Sequence, residues 1–473
     1  MKGKTSMAIS SITVILIAQS FFNLLLLFRS IFWNYGLNYS DPLILATSGI
    51  LYKSISTYPY ILTYYTPLSY LLVRAFAMLA PQFVSTNPYF YMKILDIFAV
   101  AAVSVLIFAI TNNLSSKKYA ALATAFFLSS TLLLQYGTSF SPIFLELAFD
   151  LLAVYLMIKP GGKKVAYAAV SLFIAFMFRQ SAIVIFAALL IYLLIERRFK
   201  LALGFSAIFL VSSAVAVFSI NALTGGRFIL EVIELPLITP ALFKIFLLNL
   251  FDFIKSTYSA AFALLALGWF FLFKKRNSLI SVLLVVTGIS TLSSAKYGAT
   301  IVYFTPFLAF LGIAAALGAS EISHSKAKGT QMLNPRVAMS YTVAMFLLLL
   351  AFNSAYYKTL YIYNGTVPSA DKIGFMLRNV SGPILAEDPE VYVAAGKPIL
   401  FEPSVFWVLQ AHGMWNDSRI VSSVDNCSFG AIVFPEGYDR FLAYPRIINA
   451  TIAHYEQSYS KYGWIVMEPR KSC

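Results

Sequence analysis

The 473-residue chain is 59% hydrophobic and 16% aromatic, and only 12% of its residues are charged. Soluble domains carry about a quarter charged residues, so this composition, with a mean hydropathy of +0.77, excludes a water-soluble globular domain and a disordered chain alike. Two cysteines exclude a disulfide-dense secreted scaffold, which leaves a polytopic membrane protein built on spans of about 20 apolar residues.

In chain order, apolar stretches at 8–30, 89–111, 119–137, 142–158, 165–179, 181–195, 201–220, 259–273, 278–294, 299–319 and 337–356 predict about eleven spans. The segment 66–80 is apolar but short and contains Arg74, so it reads as an interfacial helix. Lys+Arg total 35 against 20 Asp+Glu, a formal charge of +15. With the N-terminus in the cytoplasm, the short inside loops collect Lys2, Lys4, Lys117, Lys118, Lys159, Lys163, Lys164, Arg197, Arg198, Lys200, Lys274, Lys275, Arg276, Lys326, Lys328 and Arg336. The longer outside loops hold only a handful, such as Lys53, Arg74, Arg227, Lys244, Lys255 and Lys296. That asymmetry is the positive-inside pattern of a multi-pass protein of the cell (plasma) membrane. It accounts for the cationic surplus of the membrane part without a nucleic-acid partner.

An odd number of spans places 357–473 outside. The two predicted domains are therefore a transmembrane module, 1–356, whose first extracytoplasmic loop is 31–88, and an extracytoplasmic domain, 357–473. All five asparagines of the latter, Asn364, Asn379, Asn416, Asn426 and Asn449, stand in Asn-x-Ser/Thr sequons, which suits an exported segment. Cys427 and Cys473 lie there too, and either a disulfide or two free thiols fits the sequence. Strands are predicted at 383–388, 430–434 and 463–469, and helices at 403–414 and 444–459. The expected architecture is thus an α-helical membrane protein with a small C-terminal α/β domain.

Polar groups at membrane depth are costly and mark function, and here they gather at the outer ends of spans. Asp41 is the only acid of the first outside loop and precedes Pro42; it reads either as an N-cap or as a general base. Tyr58, Tyr60, Tyr64, Tyr65 and Tyr70 form either an interfacial belt or a sugar-binding wall. Glu146 and Asp150 are four apart on one helix face, which allows metal binding, a shared proton or pairing with a cation. Lys93, Arg179 and Lys296 lie at three outer span ends. They either meet around one phosphate or snorkel independently to lipid headgroups. No P-loop, G-x-G-x-x-G, H-E-x-x-H, G-x-S-x-G or C-x-x-C motif occurs, and His324, His412 and His454 are too far apart to suggest zinc.

This layout resembles the GT-C glycosyltransferases that draw sugars from polyprenyl-phosphate carriers, in the branch of aminoarabinose transferases, protein mannosyltransferases and RgtA-like enzymes. Asp41 stands where that family has an acid just after the first span. Tyr65-Thr66-Pro67-Leu68-Ser69-Tyr70 is similar to its K-P-P-L-x-Y, and Lys93 falls where it often has Arg. Phe178-Arg179-Gln180 resembles its T-K-G/K-Q motif. Lys296-Tyr297-Gly298-Ala299 with Tyr303 resembles a late K-x-G-x-x-x-N-Y segment. The family lysine before the prolines is Tyr65 here, and its second acid, in an Asp-Pro, is replaced by Ser141-Pro142 with Glu146 one turn deeper. The resemblance implies an inverting transferase with Asp41 as base, and Arg179, Lys296 and Lys93 on the donor phosphate. Tyr65, Tyr70 and Tyr303 would contact substrate, and Glu146 would bind any divalent metal (Mg or Mn). The donor implied is a polyprenyl- or dolichyl-phosphate-linked sugar within the membrane lipid, and the acceptor a glycan, lipid or protein. A transporter or flippase of lipid-linked sugars would share the spans and the cationic outer face. Against it stand the lack of paired halves and the large one-sided soluble domain.

Overall fold

The computed structural model describes residues 16–21, 23–25, 51–79, 90–130, 132–133, 142–257, 278–327, 370–436 and 440–471. Asp41 and most of its loop, the expected spans 259–273 and 337–356, Asn364 and Cys473 lie outside the described residues. The chain divides into two compact units, one of 1–33, 92–216 and 240–356, the other of 34–91, 217–239 and 357–473.

The first unit is helical. Its described helices are Phe90–Leu114, Lys117–Leu128, Pro142–Met157, Gly162–Phe178, Ile183–Ile195, Phe199–Leu223, Phe243–Thr257, Ser278–Ser290 and Thr305–Ala327. Among the described residues, Lys93–Leu114, Phe199–Leu223 and Ile301–Glu321 are long and apolar enough to cross a bilayer. Ile301–Glu321 is 83% buried and Phe199–Leu223 only 17%, so the former is central and the latter offers a peripheral apolar face. The centre is closely packed because its residues are small. A Cβ on Gly312 would come within 3.3 Å of the Ala123 carbonyl oxygen, and Ala309, Ala315, Ala316, Ala120 and Ala123 are buried around it, as in small-residue membrane interfaces.

Several boundaries differ from the sequence expectation. The helix of the third expected span ends at Leu128, where Ser129 and Ser130 turn the chain through bonds to Ala125 and Phe127 carbonyls. The expected outside loop 221–258 contains the helix Phe243–Thr257, and the helix Thr305–Ala327 runs on through part of the expected inside loop. The chain tightens into 3-10 turns at Gln180–Ala182, Thr291–Ala295 and Ile301–Phe304.

The second unit is built on a four-stranded sheet of order β1-β2-β4-β3, comprising β1 (Ile384–Ala386), β2 (Ala431–Pro435), β3 (Tyr455–Lys461) and β4 (Trp464–Pro469). β1 and β2 are parallel, with Leu385 opposite Ile432, and the other two pairings are antiparallel. Tyr462 (φ 56°) and Gly463 (φ 77°) connect β3 to β4 as a two-residue turn of the primed type that matches strand twist. The expected helix 444–459 is corrected here: helix Pro445–His454 stops and Tyr455–Lys461 pairs with β4. Pairing with an apolar neighbouring strand outweighs the local pattern. Helix 403–414 is shorter too, ending at Ala411 before Gly413 at φ +68°.

Phe401 centres the core of this unit, with Phe406, Trp415, Phe441 and Tyr444 at ring distances of 5.4 to 6.3 Å. The first-loop segment around 60–64 belongs to the same core. Tyr60 bridges Phe401, donating its N–H to Leu400 and accepting from Glu402, and its ring meets Trp415 at 5.3 Å. The Tyr64 hydroxyl donates to Glu402 Oε2 at 2.8 Å. The packing leaves no room at Gly430, where a Cβ would lie 1.9 Å from the Ser381 carbonyl oxygen. Gly430→Ala therefore forces backbone apart and is expected to destabilise the unit by about 1–3 kcal/mol or more, seen as a lower Tm and faster proteolysis of the tail.

A buried acid also holds the first loop. Glu231, wholly buried in the π-helical turn Leu230–Glu234, accepts the Thr63 N–H on Oε2 at 2.7 Å. Burial pushes its carboxyl up to about 8, against smaller opposing effects of that hydrogen bond and of Arg227. The folded state then holds a proton that the unfolded state releases at the ordinary carboxylate value, so stability falls as pH rises towards about 8. Glu231→Gln keeps an acceptor oxygen and removes the charge. We expect its Tm to exceed that of the wild type at pH 9 and the gain to shrink by pH 5; a gain independent of pH would refute this account.

Candidate functional site

The site forms in the first unit where one extended residue separates two helices. Gly162–Phe178 ends at Arg179 (φ −160°, ψ 135°), and the chain resumes in the 3-10 turn Gln180–Ala182 and then Ile183–Ile195. Neither glycine nor proline marks this break. It projects Arg179, only 4% exposed, from a helix C-terminus, whose partial negative charge favours a cation.

Two contacts of the guanidinium shape the site. Its Nη1 lies 3.6 Å from Glu146 Oε2, and its Cζ lies 4.6 Å from the centroid of the Tyr303 ring, within cation–π range. Glu146 and Asp150 are both buried on the helix Pro142–Met157, and Asp150 Oδ1 has no hydrogen-bond partner. Together with Ser181, Ser290 and Ser293 these side chains line a recess of about 40 Å³, large enough for a water or two. A buried charge must be paired; here Arg179 is the cation that Glu146 meets.

Lys296 and Lys93 do not line that recess among the described residues. Lys296 is half-buried on a loop three residues beyond Ser293, and desolvation lowers its ammonium below the usual lysine value. The loop is held on both sides. Leu242 N–H donates to Ala295 at 2.8 Å and Tyr297 N–H to Pro240 at 2.9 Å, while Asn249 Nδ2 donates to the Ser294 and Ala299 carbonyls at 2.9 and 3.1 Å. Asn249 was not singled out in the sequence; its signal is one amide within the apolar run FKIFLLNLF. Ser181, Ser290 and Ser293 carried no signal apart from their place at span ends. Lys93 and Asp96 are wholly buried, three residues apart on Phe90–Leu114. Tyr65 and Tyr70 belong to the other unit, where Tyr65 is half-buried and Tyr70 is 1% exposed.

Glu146 was expected to hold any metal. Two carboxylates with a guanidinium 3.6 Å from one of them are a poor donor set for Mg or Mn, which prefer several oxygen ligands. Among the described residues no three metal-ligating side chains gather, so those present do not fit a divalent cation.

The fold is shared with solved structures of ArnT and of an archaeal oligosaccharyltransferase. ArnT from Cupriavidus metallidurans in the apo state superposes with a TM-score of 0.60 at 13% identity, covering 97% of this chain and 98% of that one. The archaeal oligosaccharyltransferase AglB from Archaeoglobus fulgidus, in complex with an inhibitory peptide and a dolichol-phosphate, gives 0.57 at 12% identity over 100% and 75%. The Archaeoglobus fulgidus oligosaccharyltransferase complex with Zn and sulfate gives 0.52 at 12% identity over 96% and 73%. At such identities the likeness is one of fold. No protein-family model matches the chain, and no curated protein sequence matches it significantly.

Proposed function

We propose that the chain is an inverting glycosyltransferase of about eleven spans that moves a sugar from a polyprenyl- or dolichyl-phosphate donor to a glycan, lipid or protein acceptor at the outer membrane face. The observation that carries this reading is Arg179, a buried cation presented at a helix break beside a small recess that also holds Glu146, Asp150 and three serines. A lipid phosphate leaving group needs such a group, since charge-assisted donors stabilise anions best in a desolvated site. Asp41 takes the proton of the acceptor hydroxyl. The acceptor oxygen forms a bond to the anomeric carbon as the bond from that carbon to the phosphate oxygen breaks, and the lipid phosphate departs as an anion. Arg179 and Lys296, with Lys93, stabilise that charge, and Tyr65, Tyr70 and Tyr303 contact the sugar or lipid phosphate. The fold likeness to ArnT and AglB supports this reading, as does the AglB complex with a dolichol-phosphate.

The test is transfer of labelled sugar from a polyprenyl-phosphate donor in membranes that contain the protein. Label is expected in an acceptor fraction only when the protein is present. Label that crosses the bilayer still attached to lipid, with none transferred, would overturn the transferase in favour of a flippase.

A further inference from the structure

The sequons of the tail form a pattern that the transfer chemistry does not use. All five asparagines of 357–473 lie in Asn-x-Ser/Thr, whereas only Asn38 and Asn113 of the other eleven in the chain do. Such sequons are acceptors for N-linked glycans on exported segments. Asparagine often packs, caps helices or sits in turns without forming a sequon. The enrichment is therefore a feature of the tail, which the charge pattern places outside.

The folded unit leaves these side chains accessible. Asn379, Asn416, Asn426 and Asn449 are the four sequon asparagines of the tail among the described residues, and all four are exposed. They lie on different elements. Asn379 closes the 3-10 turn Leu377–Asn379, Asn416 precedes Ser418–Asp425, Asn426 caps that helix, and Asn449 lies within Pro445–His454. An acceptor amide must offer a free Nδ2. At Asn416 only Oδ1 is engaged, accepting the N–H of Ser418, its own sequon hydroxyl residue, at 3.1 Å; this side-chain turn leaves the nitrogen available. Asn426 Nδ2 makes one long contact of 3.5 Å to Ser422, beyond the usual range of such bonds. A residue needed for packing would show the opposite: burial and a satisfied amide, as Asn249 does with its two carbonyls.

We propose that the tail is an N-glycosylated domain, modified at Asn379, Asn416, Asn426 and Asn449. The co-reactant is a glycan carried on a lipid phosphate or pyrophosphate, delivered by a separate oligosaccharyltransferase. The asparagine Nδ2 loses one proton and forms a bond to the anomeric carbon, while the bond from that carbon to the lipid phosphate oxygen breaks and the phosphate carries away the electron pair. The inference rests on the extracytoplasmic placement of the tail and not on the chain's own transfer chemistry.

One sequon lies on the side that the positive-inside pattern assigns to the cytoplasm: Asn113-Leu114-Ser115, at the C-terminal end of Phe90–Leu114, exposed with its Nδ2 donating to the Ala109 carbonyl oxygen at 3.0 Å. The full-length protein should be purified from membranes of the organism that encodes it, digested, and its peptides sequenced by electron-transfer mass spectrometry. Glycan mass is expected on at least two of the four tail asparagines and none on Asn113. Glycan on fewer than two of the tail asparagines would overturn the proposal while leaving the sugar-transfer assay unaffected. Glycan on Asn113 would overturn it by reversing the topology on which it rests.

Discussion

Asp41→Asn is expected to lower sugar transfer at least a hundredfold while the amount of folded protein stays unchanged. The asparagine amide is nearly the same size as the carboxylate, so the substitution removes basicity without opening a cavity. An acceptor hydroxyl is a weak nucleophile at neutral pH, and a positioned base contributes about 10²–10⁴-fold. The loss should fall on the chemical step, so affinity for the lipid-linked donor should change little. Transfer of label from a polyprenyl-phosphate sugar, with protein level measured in the same membranes, checks all of this. An Asp41→Asn protein that retains more than a tenth of wild-type transfer would remove Asp41 from the base role and leave its aspartate as a helix cap.

The sequence revealed those features that depend on periodicity or charge, and hid those that depend on contacts between distant segments. The helices Pro142–Met157, Gly162–Phe178 and Ile183–Ile195 follow the predicted apolar stretches closely because lipid and bundle both demand continuous apolar surface. The strands β1, β2 and β4 were legible as short apolar runs bounded by turn residues. β3 was not, since Tyr455–Lys461 is mostly polar and exposed and becomes a strand only through its partner. Tyr60 and Tyr64 read as members of an aromatic belt; their packing and hydrogen bonding within the tail's unit depend on residues more than 300 positions away. At the site, Arg179 was visible as a lone cation at a span end. That it faces Glu146 required the helix break, which no glycine or proline announces. Asn249 was invisible because one amide in an apolar run has many possible partners, and only the fold selects the two carbonyls flanking Lys296.

The pair of Arg179 with Glu146 allows structure and catalysis to be separated by experiment. At 3.6 Å the contact is longer than the 2.7–2.9 Å of a charge-assisted hydrogen bond. Arg179→Met should destabilise the protein by about 3–5 kcal/mol, because it leaves Glu146 buried without its cation. It should also abolish transfer, since loss of one anion-stabilising group costs about 10²–10³-fold in rate. Glu146→Gln should be milder, keeping transfer within about tenfold of wild type, because the buried Asp150 carboxylate one turn along the same helix, which also feels the Arg179 charge, still balances the guanidinium. The informative variant is the double, Arg179→Met with Glu146→Gln. If Arg179 serves the leaving phosphate, the double regains most of the lost Tm in detergent but none of the transfer activity. If Arg179 only neutralises a buried acid, stability and transfer return together. If Glu146→Gln alone, at normal Tm, is as inactive as Arg179→Met, the carboxylate itself takes part in the reaction and the pairing role assigned to it fails.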